Sequence, residues 1–166
     1  QNYLPLGNPD IIVKNLNDWS TDEILIQCID RSLKNSGPHF DLLEKITNQS
    51  ITTPIIYCGG IRNAKDAELV IKMGADRIMV DNIIHSNPNE VIKISESLGS
   101  QAIIASLPII KVKENFYIYN YLSKKNIEID FKVLDFFNDE IISECLLIDV
   151  KNEGSYHNFN KEISKI

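Results

Sequence analysis

Short apolar runs alternate with helix-length stretches of mixed polarity through most of this chain. The clearest case is Pro54-Ile-Ile-Tyr-Cys-Gly-Gly-Ile-Arg62, then residues 63–73, then Gly74-Ala-Asp-Arg-Ile-Met-Val80. An apolar run ending in two glycines, a helix-length segment and a second apolar run predict a strand, a crossover helix and a parallel strand. Two glycines at a strand end let backbone N–H groups approach a ligand closely, and oxyanions such as phosphate are the usual guests. Arg62 places a charge beside them.

The same reading extends in both directions. Residues 1–9 hold two prolines and a glycine and predict a loop. Asn8 can cap a helix with Pro9 at its first position and Asp10 in its first turn. Ile11, Ile12, Asn15, Leu16 and Trp19 then fall on one helical face, with Trp19 expected to pack at its end. A nearly continuous apolar run over 23–29 predicts a buried parallel strand ending at Asp30. Residues 31–39 read as a polar loop and 40–46 as a short helix. Pro88 opens a helix to residue 98 whose Val91, Ile92 and Ser95 face inward, and Gly99 ends it. A strand covers 101–110, and the alternation over 111–121 around Glu114-Asn115 predicts a β-hairpin arm. A helix is expected over 131–143, a strand over 145–150, and the start of a helix over 160–166.

The motif Gly-Gly-Ile-Arg62, then Asp66-Ala67-Glu68, then Gly74-Ala75-Asp76-Arg77 resembles the middle of the cyclase (synthase) subunit of imidazole glycerol phosphate synthase. That family is a (β/α)8 barrel of the histidine pathway. Asn2-Tyr-Leu-Pro-Leu-Gly-Asn-Pro-Asp10, and Cys28-Ile-Asp-Arg-Ser32 through Gly37-Pro-His-Phe40, are similar to the branch found beside bacterial surface-sugar genes. There the cyclase-like protein is thought to make amidino sugars with a glutamine amidotransferase. The resemblance runs from about Tyr3 to the C-terminus and thins after Ser106. It implies a partial TIM-type barrel over residues 1–166, with the five predicted strands in the places of strands two to six and the hairpin arm after strand five. Strand one would lie upstream of Gln1, and strands seven and eight beyond Ile166.

The family's chemistry is ring closure and lyase cleavage with ammonia delivered by a glutaminase. The resemblance implies general acid–base work by aspartates at the ends of strands one and five. Here the strand-five run is Ser100-Gln-Ala-Ile-Ile-Ala-Ser-Leu-Pro108, so Pro108 stands in place of that aspartate. Cys28 replaces one of two aspartates at the strand-two end, and Asp30 matches the other, which makes Asp30 the remaining candidate. After strand six, Val150-Lys151-Asn152-Glu153-Gly154-Ser155 keeps only Gly154 of the pattern Ile-Asp-Arg-Asp-Gly-Thr. Solvated loop charge is the plain reading of Asp30, Lys151 and Glu153. The phosphate candidates are Gly59, Gly60 and Asn82, with Asp81 where the family has a neutral Asn.

Composition narrows the field. A net charge of −6 gives no basic stripe for nucleic acid, and no apolar run approaches the ~20 residues that cross a bilayer. No signal peptide is visible, so a cytoplasmic protein is expected. Cys28, Cys58 and Cys145 have no Cys-x-x-Cys spacing and read as buried free thiols. His39, His85 and His157 share no metal-ligand spacing, and Ser32, Ser106 and Ser155 lack a nucleophile elbow. No metal and no cofactor are expected. Two readings stay open: a cyclase-like subunit fed by a glutamine amidotransferase, and a noncatalytic barrel remnant acting as a scaffold. Open sheet edges along 23–29 and 145–150, and barrel-interior side chains such as Ile24, Ile26, Ile55, Ile78 and Ile104 or their inward-facing neighbours, also predict self-association.

Overall fold

A computed structural model describes residues 6–129, 132–156 and 158–166. The first part of the N-terminal loop, the predicted helix start at Phe131, and His157 lie outside the described residues. The order of elements is α1 (Pro9–Asp18), β1 (Ile24–Gln27), α2 (Ile29–Leu33), α3 (Phe40–Thr47), β2 (Ile55–Cys58), α4 (Ala64–Lys72) and β3 (Arg77–Val80). There follow α5 (Asn82–Ser86), α6 (Pro88–Leu98), β4 (Ile103–Val112), β5 (Asn115–Asn120), β6 (Lys125–Glu128), α7 (Lys132–Asn138) and β7 (Glu144–Asp149).

Among the described residues, β1, β2, β3, β4 and β7 form a parallel sheet in that order, with β5 and β6 continuing antiparallel from the far end of β4. This is an open segment of a (β/α) barrel, and β1 and β7 are its edges. Alternation along each strand divides the side chains between two faces. Ile24, Ile26, Ile55, Tyr57, Ile78, Ile103 and Ala105 join the main core with Val13, Leu43, Ile46, Val70, Val91 and Ile94 of the helices. Ile56, Cys58, Met79 and Ile104 form a separate small cluster on the other face. Of the two alternatives expected for the interior, the structure takes mostly the neighbours, Ile56 and Met79 among them. Of the five isoleucines named, only Ile104 faces inward, because the register pairs Ile24 with Ile55 on the helix side and puts Leu25 beside Ile56.

Several local expectations change for identifiable reasons. α1 stops at Asp18, and Trp19 leaves the helical path and is 73% exposed; Val13 and Leu16 are the residues that meet the core. Asn8 makes no side-chain cap bond. On α6 the buried pair is Val91 and Ile94, one turn apart, instead of a face through Ser95. Cys145 is exposed because β7 is an edge strand, whereas Cys28 and Cys58 are buried. α7 is shorter than expected: Glu140 takes a left-handed conformation, and the N–H groups of Ile141 and Ile142 return to the Phe136 carbonyl. The polar loop after β1 contains α2. The C-terminal segment makes only a 3-10 turn, Ile163–Lys165, which buries Ile163.

β4 runs ten residues, past the predicted end, and becomes the first strand of the arm. Pro108 therefore lies inside a strand, which proline usually avoids because it has no N–H. The surroundings accommodate it. The Ile109 carbonyl accepts from Val150 on the β7 side, so by alternation the Pro108 nitrogen faces the other side. There β3 has already ended, opposite Ala105, and β5, whose last residue paired with β4 is Ile118 opposite Ile109, lies alongside.

At the N-terminal end of the sheet Arg77 bridges both edges. Its guanidinium lies 3.3 Å from Glu23 and 2.9 Å from Glu144, and Nε donates to the Gln101 carbonyl at 3.1 Å. No helix among the described residues is long and apolar enough to cross a membrane.

Candidate functional site

The C-terminal ends of the parallel strands carry two adjoining cavities of about 440 and 410 Å³, and β/α barrels place their chemistry at this end. Both are bordered by Ser32, Cys58, Gly59, Asp81, Asn82 and Leu122. The first extends along the glycine turn to Arg31 and Arg62. The second opens between the sheet and the arm, where Ser106, Pro108, Tyr121 and Glu153 line it.

The glycine turn is held by close packing. Gly59 and Gly60 have φ of 123° and 73°, a region that side chains disfavour. A Cβ on Gly59 would collide with the Cys28 carbonyl, and one on Gly60 with the Gly37 carbonyl. The Gly60 N–H already donates to Ser32 Oγ at 3.1 Å. Asn63 caps α4 by accepting from the Asp66 N–H at 2.9 Å. Asp66 in turn takes Arg62 Nε at 2.8 Å and Nη2 at 3.1 Å. Hence the charge that the sequence placed beside the glycines is already matched by a buried carboxylate.

Asp81 and Asn82 follow β3 directly. The Asp81 carboxylate accepts from the Asn82 N–H and caps α5. Asn82 Oδ1 accepts from Asn120 Nδ2 at 3.0 Å, and its Nδ2 donates to Ser86 at 3.3 Å. The phosphate candidates Gly59, Gly60 and Asn82 thus border one cavity. Asp30 does not reach it. It sits on α2, exposed, with its carboxylate 2.7 Å from Lys34 Nζ, which holds its pKa below the usual carboxylate value.

The thiols at the strand ends are not poised as nucleophiles. Burial pushes up the pKa of Cys58, with Asp81 adding to the effect, and burial likewise raises that of Cys28. Tyr57 is fully buried in the main core with Cys28, its hydroxyl accepting the His39 N–H at 2.6 Å, and burial raises its pKa as well. His39 itself accepts from the Leu42 N–H and caps α3. Tyr121 donates to Glu153 Oε2 at 3.3 Å, and burial together with that carboxylate keeps it protonated. Lys151 is exposed and lies outside both cavity linings. Among the described residues no group of three or more His, Cys, Asp or Glu could hold a metal ion.

Sequence reasoning gave no binding role to Arg31, Ser32, Asn120 or Tyr121. The first two were legible in principle, since they directly follow a strand end on the chemical face. The arm residues reach the cavity by a long-range fold-back that leaves no local signal. Asp149 was also missed, one residue before the segment matched to the family pattern. It is buried at the end of β7 and takes Asn152 Nδ2 at 2.7 Å and the Asn160 N–H at 2.9 Å.

The whole chain, residues 1–166, matches the family model for histidine biosynthesis proteins. A Vibrio vulnificus (strain YJ016) protein provisionally named imidazole glycerol phosphate synthase subunit hisF2 is 27% identical over 168 residues, covering 99% of this chain and 61% of its own length. Imidazole glycerol phosphate synthase subunit HisF of Thermotoga sp. (strain RQ2) is 25% identical over 170 residues, covering 98% and 64%. The subunit of the same name from Helicobacter hepaticus (strain ATCC 51449 / 3B1) is 24% identical over 158 residues, covering 93% and 62%. The chain spans less than two thirds of the length of these relatives. Its parallel β/α sheet, its glycine turn at the strand ends and this match along its full length lead to one assignment: the chain belongs to the histidine biosynthesis protein family, alongside relatives named as imidazole glycerol phosphate synthase subunits.

Proposed function

We propose that this chain is a cyclase-type barrel segment that binds the phosphate of a small substrate at the glycine turn and has no cyclase turnover by itself. The observation that carries the reading is the cavity where Gly59, Gly60 and Asn82 converge at the ends of β2 and β3. Backbone N–H groups of such turns suit a tetrahedral oxyanion. Calorimetric titration with inorganic phosphate tests it: saturable binding that Asn82→Ala weakens supports the reading, and no binding by the unaltered chain overturns it.

Pro108 supports the second half of the proposal. It lines the mouth at the position matched to the strand-five carboxylate and offers no ionisable group. Losing a positioned acid–base group typically costs roughly 10²–10⁴-fold. Ammonia-dependent turnover within tenfold of a full-length relative would contradict this. By resemblance, the partner is a glutamine amidotransferase supplying ammonia in the cytoplasm, in the histidine pathway or the surface-sugar branch. Pro108 also favours the alternative, a noncatalytic barrel that serves as a scaffold. Phosphate binding without turnover is common to both, and a stable complex with a glutaminase, measured by size exclusion, favours the first.

A further inference from the structure

Two arginines border the glycine-turn cavity, and they are not equivalent. Arg62 is gripped on two nitrogens by Asp66, a carboxylate only 7% exposed, so its charge is matched inside the protein. Arg31 is held differently. Its Nε donates to the Gly37 carbonyl at 2.7 Å, and its Nη2 to the carbonyls of Ser36 at 2.9 Å and Pro38 at 3.2 Å. All three partners are neutral. Among the described residues Arg31 has no ion pair, and its remaining nitrogen, Nη1, makes no hydrogen bond. The neighbouring Asp30 carboxylate is taken by Lys34.

Arg31 is also packed directly on the glycine turn, since a side chain at Gly60 would press on Arg31 Cβ. Beside it, Ser32 Oγ accepts the Gly60 N–H, which leaves the hydroxyl proton to donate elsewhere. A guanidinium fixed by three carbonyls has already lost most of its rotamer freedom, so binding an anion costs it little further entropy. Its Nη1 keeps two N–H donors, and a charge-assisted bond from a guanidinium to an oxyanion is stronger than a neutral one. Asp81 lines the same cavity and opposes any anion there, which makes an unmatched cation the more necessary.

We infer that Arg31 and Ser32 of α2, and not Arg62, are the side chains that receive the phosphate monoester oxyanion at the glycine turn. This rests on the phosphate reading above and assigns its cation. The experiment is calorimetry with inorganic phosphate at fixed ionic strength on the unaltered chain, Arg31→Gln, Arg31→Lys, Ser32→Ala and Arg62→Gln, each checked for fold by circular dichroism. Arg31→Gln should weaken binding by about tenfold or more, Arg31→Lys by less, and Arg62→Gln by no more than about threefold. Arg31→Gln binding like the unaltered chain, or Arg62→Gln losing as much as Arg31→Gln, overturns the assignment and leaves the phosphate reading standing. No phosphate binding by the unaltered chain overturns both. Arg31 also secures the loop before α3, so a measurement without mutation accompanies these. In nitrogen-15 spectra of the unaltered chain, phosphate should shift the Arg31 Nη–H signals and leave those of Arg62 in place; the reverse pattern overturns the assignment.

Discussion

Asn120 at the end of β5 donates its side-chain amide to Asn82 Oδ1 at 3.0 Å, across 38 positions of sequence. The same side chain closes the tip of the arm, its Oδ1 accepting from the N–H groups of Leu122 at 2.9 Å and Ser123 at 2.8 Å. One residue thus folds the arm's turn and ties it over the cavity. A second tie runs from Tyr121 to Glu153.

Asn120→Asp should separate these roles. A carboxylate keeps both acceptors for the turn but turns the tie to Asn82 into an oxygen–oxygen repulsion. Amide hydrogen exchange over residues 118–122 should speed up by about tenfold, as expected for losing roughly 1.4 kcal/mol of local stability. Unchanged exchange would mean that Tyr121 alone holds the arm.

Asp81→Asn should tighten phosphate binding. An ionised carboxylate a few ångströms from a phosphate costs about 1–4 kcal/mol at effective dielectrics of ~80 to 20. A gain of at least about fivefold is expected by calorimetry. Equal affinities would show that the Asp81 charge is screened from the anion.

The pattern of strands and helices was legible because parallel strands buried on both faces read as continuous apolar runs, and short loops preserve their order. The site was half legible. Gly59 and Gly60 announce themselves because no other residue suits their conformation, and Pro108 because a missing carboxylate shows in the letters alone. Which face Ile24 or Ile104 occupies depends on register, and a shift of one position inverts it. That Arg62 is already paired depends on how α4 begins, the exposure of Trp19 on where α1 ends, and that of Cys145 on β7 lying at the sheet edge. No single stretch encodes these.

Asp149 gives a pH signature. Burial works against its ionisation, yet the Asn160 N–H and the Asn152 side chain hold its pKa below the ordinary 3.8. A lowered carboxylate adds stability that is present above pH 3.8 and is lost as the pH falls through the lower folded value. Asp149→Asn should therefore cost about 1–3 kcal/mol near neutrality, with the difference closing in acid. Thermal melts between pH 2.5 and 7 report this. A difference independent of pH would assign the loss to shape and not to charge.

The sheet edges lead to a prediction of self-association. β1 and β7 each pair on one side only among the described residues, with Leu25 and Leu146 partly exposed on them. Unpaired strand edges beside apolar side chains recruit further strands. Light scattering on the 166-residue chain should give a mass of at least twice 18.9 kDa. A cooperatively melting monomer of 18.9 kDa would show that the edges are tolerated in water.

The central claim is that the glycine turn binds phosphate, and nuclear magnetic resonance locates binding residue by residue. In a nitrogen-15 titration of the unaltered chain with inorganic phosphate, the amides of Gly59, Gly60, Ile61 and Asn82 should shift together along one saturable curve. Saturable shifts confined to another part of the chain, or none with phosphate well into the millimolar range, would contradict it.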